Sequence, residues 1–223
     1  MPPGTIAIDG PAGSGKTVIG LWLARKLGYA FLDTGVLYRA LTWLALRRGI
    51  PTSDPDALAA AAASASIDVL PHAERGYVVE IDGRDVTDEL FAPDVNAEVS
   101  TVAAHPAVRR ELLPVQRRIA ARGGAVMVGR DIGTVVLPDA ELKLYLDAPL
   151  GVRAQRRWAQ ERQQGGARAL EEVLADLRRR DRLDSERATS PLRPADDAVV
   201  IETDRVTLDE EKARILALLK AGR

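Results

Sequence analysis

The sequence predicts an α/β fold in which helices flank a parallel sheet of five strands, with a small antiparallel β insertion and a helical lid. Short apolar runs alternate with segments of helical periodicity, and this order favours parallel strands joined by crossover helices. A chain of 223 residues is long enough for one such domain with an insertion. We therefore expect residues 1–223 to form a single unit, with the insertion at about 66–104 and the lid at about 157–169.

Five short apolar runs are predicted to be the core strands. The run at 125–128 is apolar at every position, which is typical of a strand covered on both faces of a parallel sheet. The predicted strands are residues 5–8, 30–32, 125–128, 142–146 and 199–201.

Helical periodicity and capping residues predict the helices between these strands. Thr207 and Glu210 form a capping box that opens the last helix. Pro114 lies inside the helix predicted at 106–122 and is expected to kink or split it. The other helices are predicted from Lys16 to Gly28, from Thr34-Gly35 to near Gly49, from Pro55 onward, at 149–162 and at 170–185.

The pattern changes to antiparallel β structure between residues 66 and 87. Two β-forming runs, 77–81 and 84–87, are separated by Asp82-Gly83. Asp-Gly between such runs favours a two-residue turn, because both residues tolerate a positive φ. The segment is therefore predicted to form a hairpin within the insertion.

The composition excludes several classes of protein. A formal net charge of −1 does not suit a protein that binds nucleic acid over its whole surface. Without cysteine, the chain has no disulfide, no zinc site and no thiol nucleophile. No apolar run approaches the roughly 18 residues of a membrane span, and the start of the sequence does not resemble a signal peptide. We therefore expect a cytoplasmic protein.

A glycine-rich segment directly after the first predicted strand fits the Walker A pattern, G-x-x-x-x-G-K-[ST]. The glycines allow backbone N–H groups to point into one concavity, where they hold phosphate oxygens at the N-terminus of the next helix. Lys16 is expected to reach the β- and γ-phosphates, and Thr17 to offer its hydroxyl to Mg²⁺. The alternative is a turn that only links a strand to a helix. The predicted ATP-binding residues are Gly10, Pro11, Ala12, Gly13, Ser14, Gly15, Lys16, Thr17 and Val18.

A phosphate-binding loop does not by itself distinguish a kinase from a GTP-dependent switch. A switch should carry a guanine-reading segment, Asn-Lys-x-Asp or Thr-Lys-x-Asp. None of the lysines in the sequence stands in that context. The sequence therefore does not favour a GTP switch.

Arginines recur at helical spacing in the second half of the chain. Residues at i, i+3, i+4 and i+7 share one face of a helix, so each set can act as a group. On spacing alone, a solvated and salt-bridged helix surface is the favoured interpretation. The sets are Arg153, Arg156 and Arg157, and Arg180, Asp184 and Arg187.

The order of the motifs resembles that of the nucleoside monophosphate kinases, and among them the bacterial cytidylate kinases, over essentially the whole chain. The Gly-Arg-Asp-x-Gly-Thr segment after a buried strand is especially typical of cytidylate kinases, as is the hairpin insertion. The segments that carry the resemblance are Ile8 to Lys16, Leu32-Asp33-Thr34-Gly35 with Tyr38-Arg39, Gly129 to Val136, and Arg180-Asp181-Arg182 with Asp184, Arg187 and Pro191-Leu192.

The resemblance implies a P-loop kinase that transfers a phosphoryl group from ATP to CMP and dCMP, with Mg²⁺ as cofactor and a mobile lid that closes over ATP. The implied catalytic residues are Lys16, Arg39, Arg130, Arg153 and Arg157. The implied CMP-binding residues are Thr34, Tyr38, Arg39, Ser100, Arg109, Arg130, Asp131, Arg180, Asp184 and Arg187.

Within these sets, the resemblance gives each residue a place. Arg39 and Arg130 contact the acceptor phosphate, and Arg180 and Asp184 contact its phosphate or ribose. Cytosine is read by Asp131 with Ser100 and Arg109, and Arg187 lies nearby. Arg153 and Arg157 lie on the lid side, over the phosphoryl group in transfer.

The chemistry of the reaction agrees with such a site. The acceptor is an anionic phosphate oxygen, so no general base is needed, and positioning, Mg²⁺ and cationic groups supply the catalysis. The histidines, His72 and His105, are interpreted as structural residues.

Two alternatives remain open at this point. One is a P-loop kinase for another small acceptor, such as UMP, shikimate or dephospho-coenzyme A. The other is a nucleotide-gated binding module that signals through a partner. In either case we expect a monomer that binds small nucleotides, with neither a nucleic acid polymer nor a membrane as partner.

Overall fold

The computed structural model of the chain describes residues 4–72, 75–163 and 165–221. The strands are β1 Thr5–Asp9, β2 Ala30–Asp33, β3 Ile67–His72, β4 Gly76–Ile81, β5 Arg84–Asp85, β6 Ala125–Gly129, β7 Leu142–Asp147 and β8 Val199–Glu202. The α-helices are α1 Lys16–Leu27, α2 Gly35–Arg48, α3 Pro55–Ser64, α4 Pro93–Ala104, α5 Pro106–Ala120, α6 Leu150–Gln163, α7 Leu170–Glu186 and α8 Leu208–Ala221.

Five strands form the main parallel sheet, in the order β2-β6-β1-β7-β8. The predicted fold class and all five predicted core strands are confirmed, and each strand extends one residue beyond its predicted end. The buried side chains of β6 include Val126 and Met127, neither of which has any exposed surface.

The chain divides into two compact units, one of Met1–Thr5 with Leu21–Val128 and one of Ile6–Gly20 with Gly129–Arg223. In the first unit, β2 pairs with β6, helix α2 packs on α4, and α3 packs on α5. In the second unit, β7 pairs with β1 and β8, and α6 packs on α7. The prediction that residues 1–223 act as a single unit stays a prediction.

The small antiparallel sheet, β3-β4-β5, belongs to the first unit. Asp82 and Gly83 connect β4 to β5, with φ values of 52° and 80°. The Asp82 carboxylate also accepts a hydrogen bond from the backbone N–H of Ser66 at 2.8 Å, which ties the turn to the start of β3. The predicted hairpin is therefore confirmed.

The rest of the insertion contains more helix than the sequence analysis predicts. A 3₁₀ turn, Thr87–Phe91, and then helix α4 follow β5. The buried face of α4 consists of Val95, Val99 and Val102. Their i, i+4, i+7 spacing is the sequence signal for this helix.

Pro114 does not split helix α5, which continues from Pro106 to Ala120, so that part of the prediction is wrong. Proline removes one backbone hydrogen bond from a helix. Pro114 is exposed, on a side of the helix where water can satisfy the carbonyl left unpaired. On the opposite side, Leu112 and Ile119 are buried, and their packing holds the two halves in one helix.

The other predicted helices are confirmed, with α7 one residue longer than expected. Gly28 and Gly49 end α1 and α2 with φ values of 68° and 65°. The capping box forms as predicted, since Glu210 accepts from both the N–H and the hydroxyl of Thr207 at 2.8 Å. Within the described ranges, no helix is both long enough and apolar enough to cross a membrane.

Candidate active site

The glycine-rich loop between β1 and α1 needs glycine at two positions. Gly10 has a φ of 145°, and a Cβ atom there would lie 2.0 Å from the carbonyl oxygen of Leu146. Gly13 has a φ of 80°, and a Cβ atom there would lie 3.2 Å from Arg153. The loop therefore packs closely on β7 and α6, and larger residues at these positions would displace it.

Lys16 folds back over this loop. Its Nζ donates to the carbonyl of Pro11 at 2.6 Å and lies 3.4 Å from the hydroxyl oxygen of Ser14. The ammonium group is therefore held by the loop's own oxygens and not by the apolar core. A phosphate oxygen is a stronger acceptor than a carbonyl, so a bound nucleotide would compete successfully for this group.

Thr17 is exposed on the first turn of α1, next to Lys16. In phosphate sites Mg²⁺ is held by a few protein oxygens together with phosphate oxygens and water, and one hydroxyl fits such a shell. Among the described residues, no group of three or more His, Cys, Asp or Glu side chains could hold a metal by itself. The residues present therefore suit an ion that arrives with a nucleotide.

Arg153 supports the loop from α6. Its guanidinium donates to the carbonyls of Ala148 at 2.8 Å and Ala12 at 3.0 Å, and forms a forked pair with Asp181 at 3.1 and 2.6 Å. The residue is only 5% exposed. Four of its five N–H donors are therefore engaged, one of them with the glycine-rich loop, and its expected place over the phosphoryl group stays a prediction.

Arg156 is a supporting residue that the sequence analysis did not place in the site. It donates to both the hydroxyl and the carbonyl of Thr203 at 2.8 Å, and the Thr203 hydroxyl lies 3.3 Å from the Ser14 carbonyl. This chain of contacts ties the segment after β8 to the glycine-rich loop. The i, i+3 spacing from Arg153 was its only signal in the sequence.

The second unit also contains a buried cluster of arginines and carboxylates near the end of β6 and on α7. Arg130 donates to Asp184 at 2.7 Å, and Arg187 lies 3.7 Å from both Asp184 and Asp131. Burial alone would raise the pKa of Asp184, but the charges of Arg130 and Arg187 hold that pKa below its usual value. The Asp184 carboxylate is therefore ionised and holds Arg130 in place.

Arg180 is the arginine of this cluster whose positive charge is least compensated. Burial, and then the charge of Arg130, lower the pKa of its guanidinium. Its Nε is buried and makes no hydrogen bond within the described residues. A buried donor without a partner is costly, so this group is suited to an anionic ligand.

The first unit holds the other predicted acceptor residues, and Arg39 is the most firmly positioned. Its Nη1 donates to the carbonyl of Leu90 at 3.0 Å and to Oδ1 of Asn96 at 2.6 Å. The guanidinium also stacks on the half-exposed ring of Phe91, 4.8 Å from its centre. Leu90, Phe91 and Asn96 lie in the helical part of the insertion, which the sequence analysis did not predict.

Tyr38 and Arg109, two of the predicted CMP-binding residues, contact each other in the first unit. The Arg109 guanidinium lies 5.2 Å from the centre of the Tyr38 ring and donates to the Ala103 carbonyl at 3.2 Å. Thr34 uses its hydroxyl to donate to the Val128 carbonyl at 3.0 Å, and Ser100 is half-buried on α4.

The predicted lid arginine Arg157 lies in the middle of α6. Its Nε donates to Glu161 at 2.8 Å, and Arg168 donates to the same carboxylate at 3.0 Å. These hydrogen bonds, that of Arg168 first, hold the pKa of Glu161 below its usual value. A small apolar core of Ala154, Val173 and Leu177 packs the two helices together below this point.

Both histidines make structural contacts, in agreement with the sequence analysis. Nε2 of His105 lies 2.8 Å from the Thr52 carbonyl, and Nδ1 of His72 accepts from the Arg75 N–H at 3.2 Å.

Comparison with known proteins places this arrangement in a family. The chain is 49% identical over 217 residues to a bifunctional pantoate ligase/cytidylate kinase of Synechococcus sp. (strain JA-3-3Ab), covering 96% of this chain but 40% of that protein. It is 48% identical over 217 residues to a cytidylate kinase of Rhodococcus opacus (strain B4), covering 96% of this chain and 93% of the relative. The chain thus spans less than half the length of the bifunctional relative and nearly all of the other.

Solved structures agree on the fold. An uncharacterized protein from Eubacterium ventriosum ATCC 27560 superposes with a TM-score of 0.50 at 13% identity, covering 97% of this chain and 98% of that one. This likeness shows the fold alone. The family model described as cytidylate kinase matches residues 6–221, which include the glycine-rich loop and the arginine cluster, and the chain belongs to that family.

Proposed function

We propose that this chain transfers the γ-phosphoryl group of ATP to CMP, and also to dCMP, with Mg²⁺ as cofactor. The observation that carries the proposal is the half-buried Arg180, whose buried Nε makes no hydrogen bond within the described residues and which lies in the same unit as Arg130 and the glycine-rich loop. A site that concentrates guanidinium groups next to a loop for phosphates is suited to bringing two polyanions together. Membership of the cytidylate kinase family favours CMP over UMP, shikimate or dephospho-coenzyme A as the acceptor.

In the proposed reaction, an oxygen of the CMP phosphate attacks the γ-phosphorus, the bond to the β–γ bridging oxygen breaks, and ADP leaves. The loop backbone and Lys16 hold the donor phosphates, while Arg130 and Arg180 hold the acceptor phosphate. Mg²⁺, when bound with the nucleotide at Thr17, supplies charge neutralisation on the phosphate oxygens. No side chain has to remove a proton, because the attacking oxygen is already anionic.

We further propose that Asp131 reads the cytosine ring. Cytosine has an amino group at position 4, where uracil has a carbonyl oxygen. A carboxylate accepts a hydrogen bond from the amino group and repels the carbonyl. We also propose that the protein acts on free nucleotides as a cytoplasmic monomer.

An acceptor screen tests the proposal directly. With ATP and Mg²⁺, ADP release should depend on an added acceptor and be fastest with CMP and dCMP among CMP, dCMP, UMP, AMP and GMP. Slow ADP release that is the same with and without every acceptor would contradict a kinase and favour a nucleotide-gated module.

Replacing Lys16 by alanine should leave a folded protein with very little phosphoryl transfer. Losing a charge contact at the transferring group costs on the order of 3–4 kcal/mol of transition-state stabilisation, or about 100-fold to 1,000-fold in kcat. The matched control is Lys26→Ala, since Lys26 is exposed on the same helix. A Lys16→Ala enzyme that keeps a tenth of normal turnover would show that the loop does not hold the reacting phosphate.

Replacing Asp131 by asparagine should reduce the preference for cytosine. An amide can donate to uracil as well as accept from cytosine, and one base-edge contact contributes about 1–3 kcal/mol, or roughly fivefold to 150-fold. The ratio of kcat/KM for CMP over UMP should fall by that factor, mainly through loss on CMP. The control is Asp139→Asn, because Asp139 is exposed in the same stretch of chain. Equal loss on both nucleotides would make Asp131 a structural or catalytic residue.

Residues 157–169 should close over bound ATP as a lid. Glu161 pairs with Arg157 and Arg168 in this segment, and partly exposed ion pairs of this kind are easily exchanged, whereas the fully buried part of the apolar core lies at Ala154, Val173 and Leu177. Hydrogen exchange in 157–169 should slow clearly when a bisubstrate analogue binds, and exchange in α8 should not. Strong and equal protection with and without the analogue would argue against a lid here.

A further inference from the structure

One buried carboxylate in the second unit has no part in the proposed reaction. Asp9 ends β1 and is only 3% exposed. Its Oδ1 accepts the backbone N–H of Ile132 at 2.8 Å, and its Oδ2 accepts that of Gly133 at 2.7 Å. The side chain therefore holds the two residues that follow Asp131.

Asp131 opens a single π-helical turn, Ile132–Val136, and its backbone is fixed from the other side as well. Its carbonyl oxygen accepts the N–H groups of Val135 at 2.9 Å and Val136 at 3.1 Å. The first two N–H groups of a helical turn have no partner within the turn, and here Asp9 supplies both. The direction of the Asp131 side chain thus depends on Asp9.

We propose that Asp9 is the positioning residue for Asp131, and that it links the base-reading turn to the strand that leads into the phosphate-binding loop. The inference rests on the proposed function, since it assigns Asp9 to the recognition of cytosine. Asp9 precedes Gly10 directly, so a shift of its carboxylate moves the turn and the start of the loop together.

The geometry requires a carboxylate at this position. Two N–H groups reach two different oxygens, and only a carboxylate offers an acceptor at both places. The peptide at Gly133 leaves little space, because a Cβ atom there would lie 3.4 Å from Oδ2 of Asp9 and 3.2 Å from the Lys143 side chain. Asparagine would keep one bond and turn its own N–H₂ group toward the other N–H.

The surroundings of Asp9 also make the contact sensitive to pH. The pKa of Asp9 is raised to about 6, because burial outweighs the hydrogen bonds from Gly133 and Ile132; the nearby Asp131 adds to the rise and Lys16 opposes it. On β7, Tyr145 pairs in register with Asp9, and Lys143 packs on Gly133 while its ammonium is held by Asp197 at 2.8 Å. Protonation of Asp9 near pH 6 turns one oxygen into a donor and weakens its hold on the turn.

The test compares Asp9→Asn with the parent enzyme and with Asp139→Asn, using CMP and UMP as acceptors from about pH 5 to about pH 9. The phosphates of CMP and UMP titrate near pH 6 themselves, so the ratio of the two kcat/KM values is the readout, since it cancels that titration. In the parent and in Asp139→Asn, the CMP/UMP ratio should fall as the pH drops through about 6.

In Asp9→Asn, the ratio should be low at every pH, about tenfold to 100-fold below the parent at pH 8, as expected for losing a hydrogen bond to a charged group. The KM for CMP should rise more than the KM for ATP, because Arg153 and Thr203 hold the phosphate-binding loop independently. Equal increases in both KM values with an unchanged CMP/UMP ratio would overturn the inference and make Asp9 a general support of the loop.

Two further results keep the inference separable from the proposed function. If Asp9→Asn does not fold, the parent enzyme alone still tests the inference. A ratio of kcat/KM for CMP over UMP that is constant across this pH range overturns it. If the parent shows no CMP-dependent ADP release at all, the proposed function itself fails, whatever Asp9 does.

Discussion

Like-charged guanidinium groups have to be kept together in a buried place before any substrate arrives, and much of the second unit depends on this constraint. Burying cations is costly unless anions accompany them. Asp184 compensates the charge of Arg130 through one short hydrogen bond, and Asp181 compensates the charge of Arg153 through a forked pair. The Nε donor of Arg180 has no hydrogen-bond partner among the described residues, and an anionic substrate can supply one.

The arginines divide into two groups by what they contact. Arg153 and Arg156 are bonded to backbone and side-chain oxygens around the phosphate-binding loop, so they hold its shape. Arg157 and Arg168 share the single carboxylate of Glu161, and both arginine side chains are partly exposed to solvent. Ion pairs of this exposed kind contribute little stability and are easily exchanged for phosphate oxygens. Loop support and lid movement can therefore coexist in neighbouring turns of the same helix.

The sequence predicted most of the fold because its signals were local. Apolar runs, the turn glycines and the Asp82-Gly83 pair each determine a short stretch of backbone. Helix α4 was missed because a hairpin explained only the first half of the insertion, although Val95, Val99 and Val102 carried the helical signal. Pro114 was misjudged because burial of the opposite face of α5, a tertiary effect, outweighs one lost hydrogen bond.

The sequence named candidate site residues but not the contacts between them. The Walker A pattern and the family resemblance pointed to Lys16, Asp131 and Arg180, yet no sequence rule could pair Arg156 with Thr203, 47 positions away. Asp9 shows the reason most clearly. In the sequence it marks only the end of a strand. The positioning role inferred for it depends on two N–H groups that lie 123 and 124 residues further along the chain. A sequence motif identifies the groups that contact a ligand, whereas the fold brings together the groups that hold them in position. These supporting residues are therefore the part of a site that can be identified only from a structure.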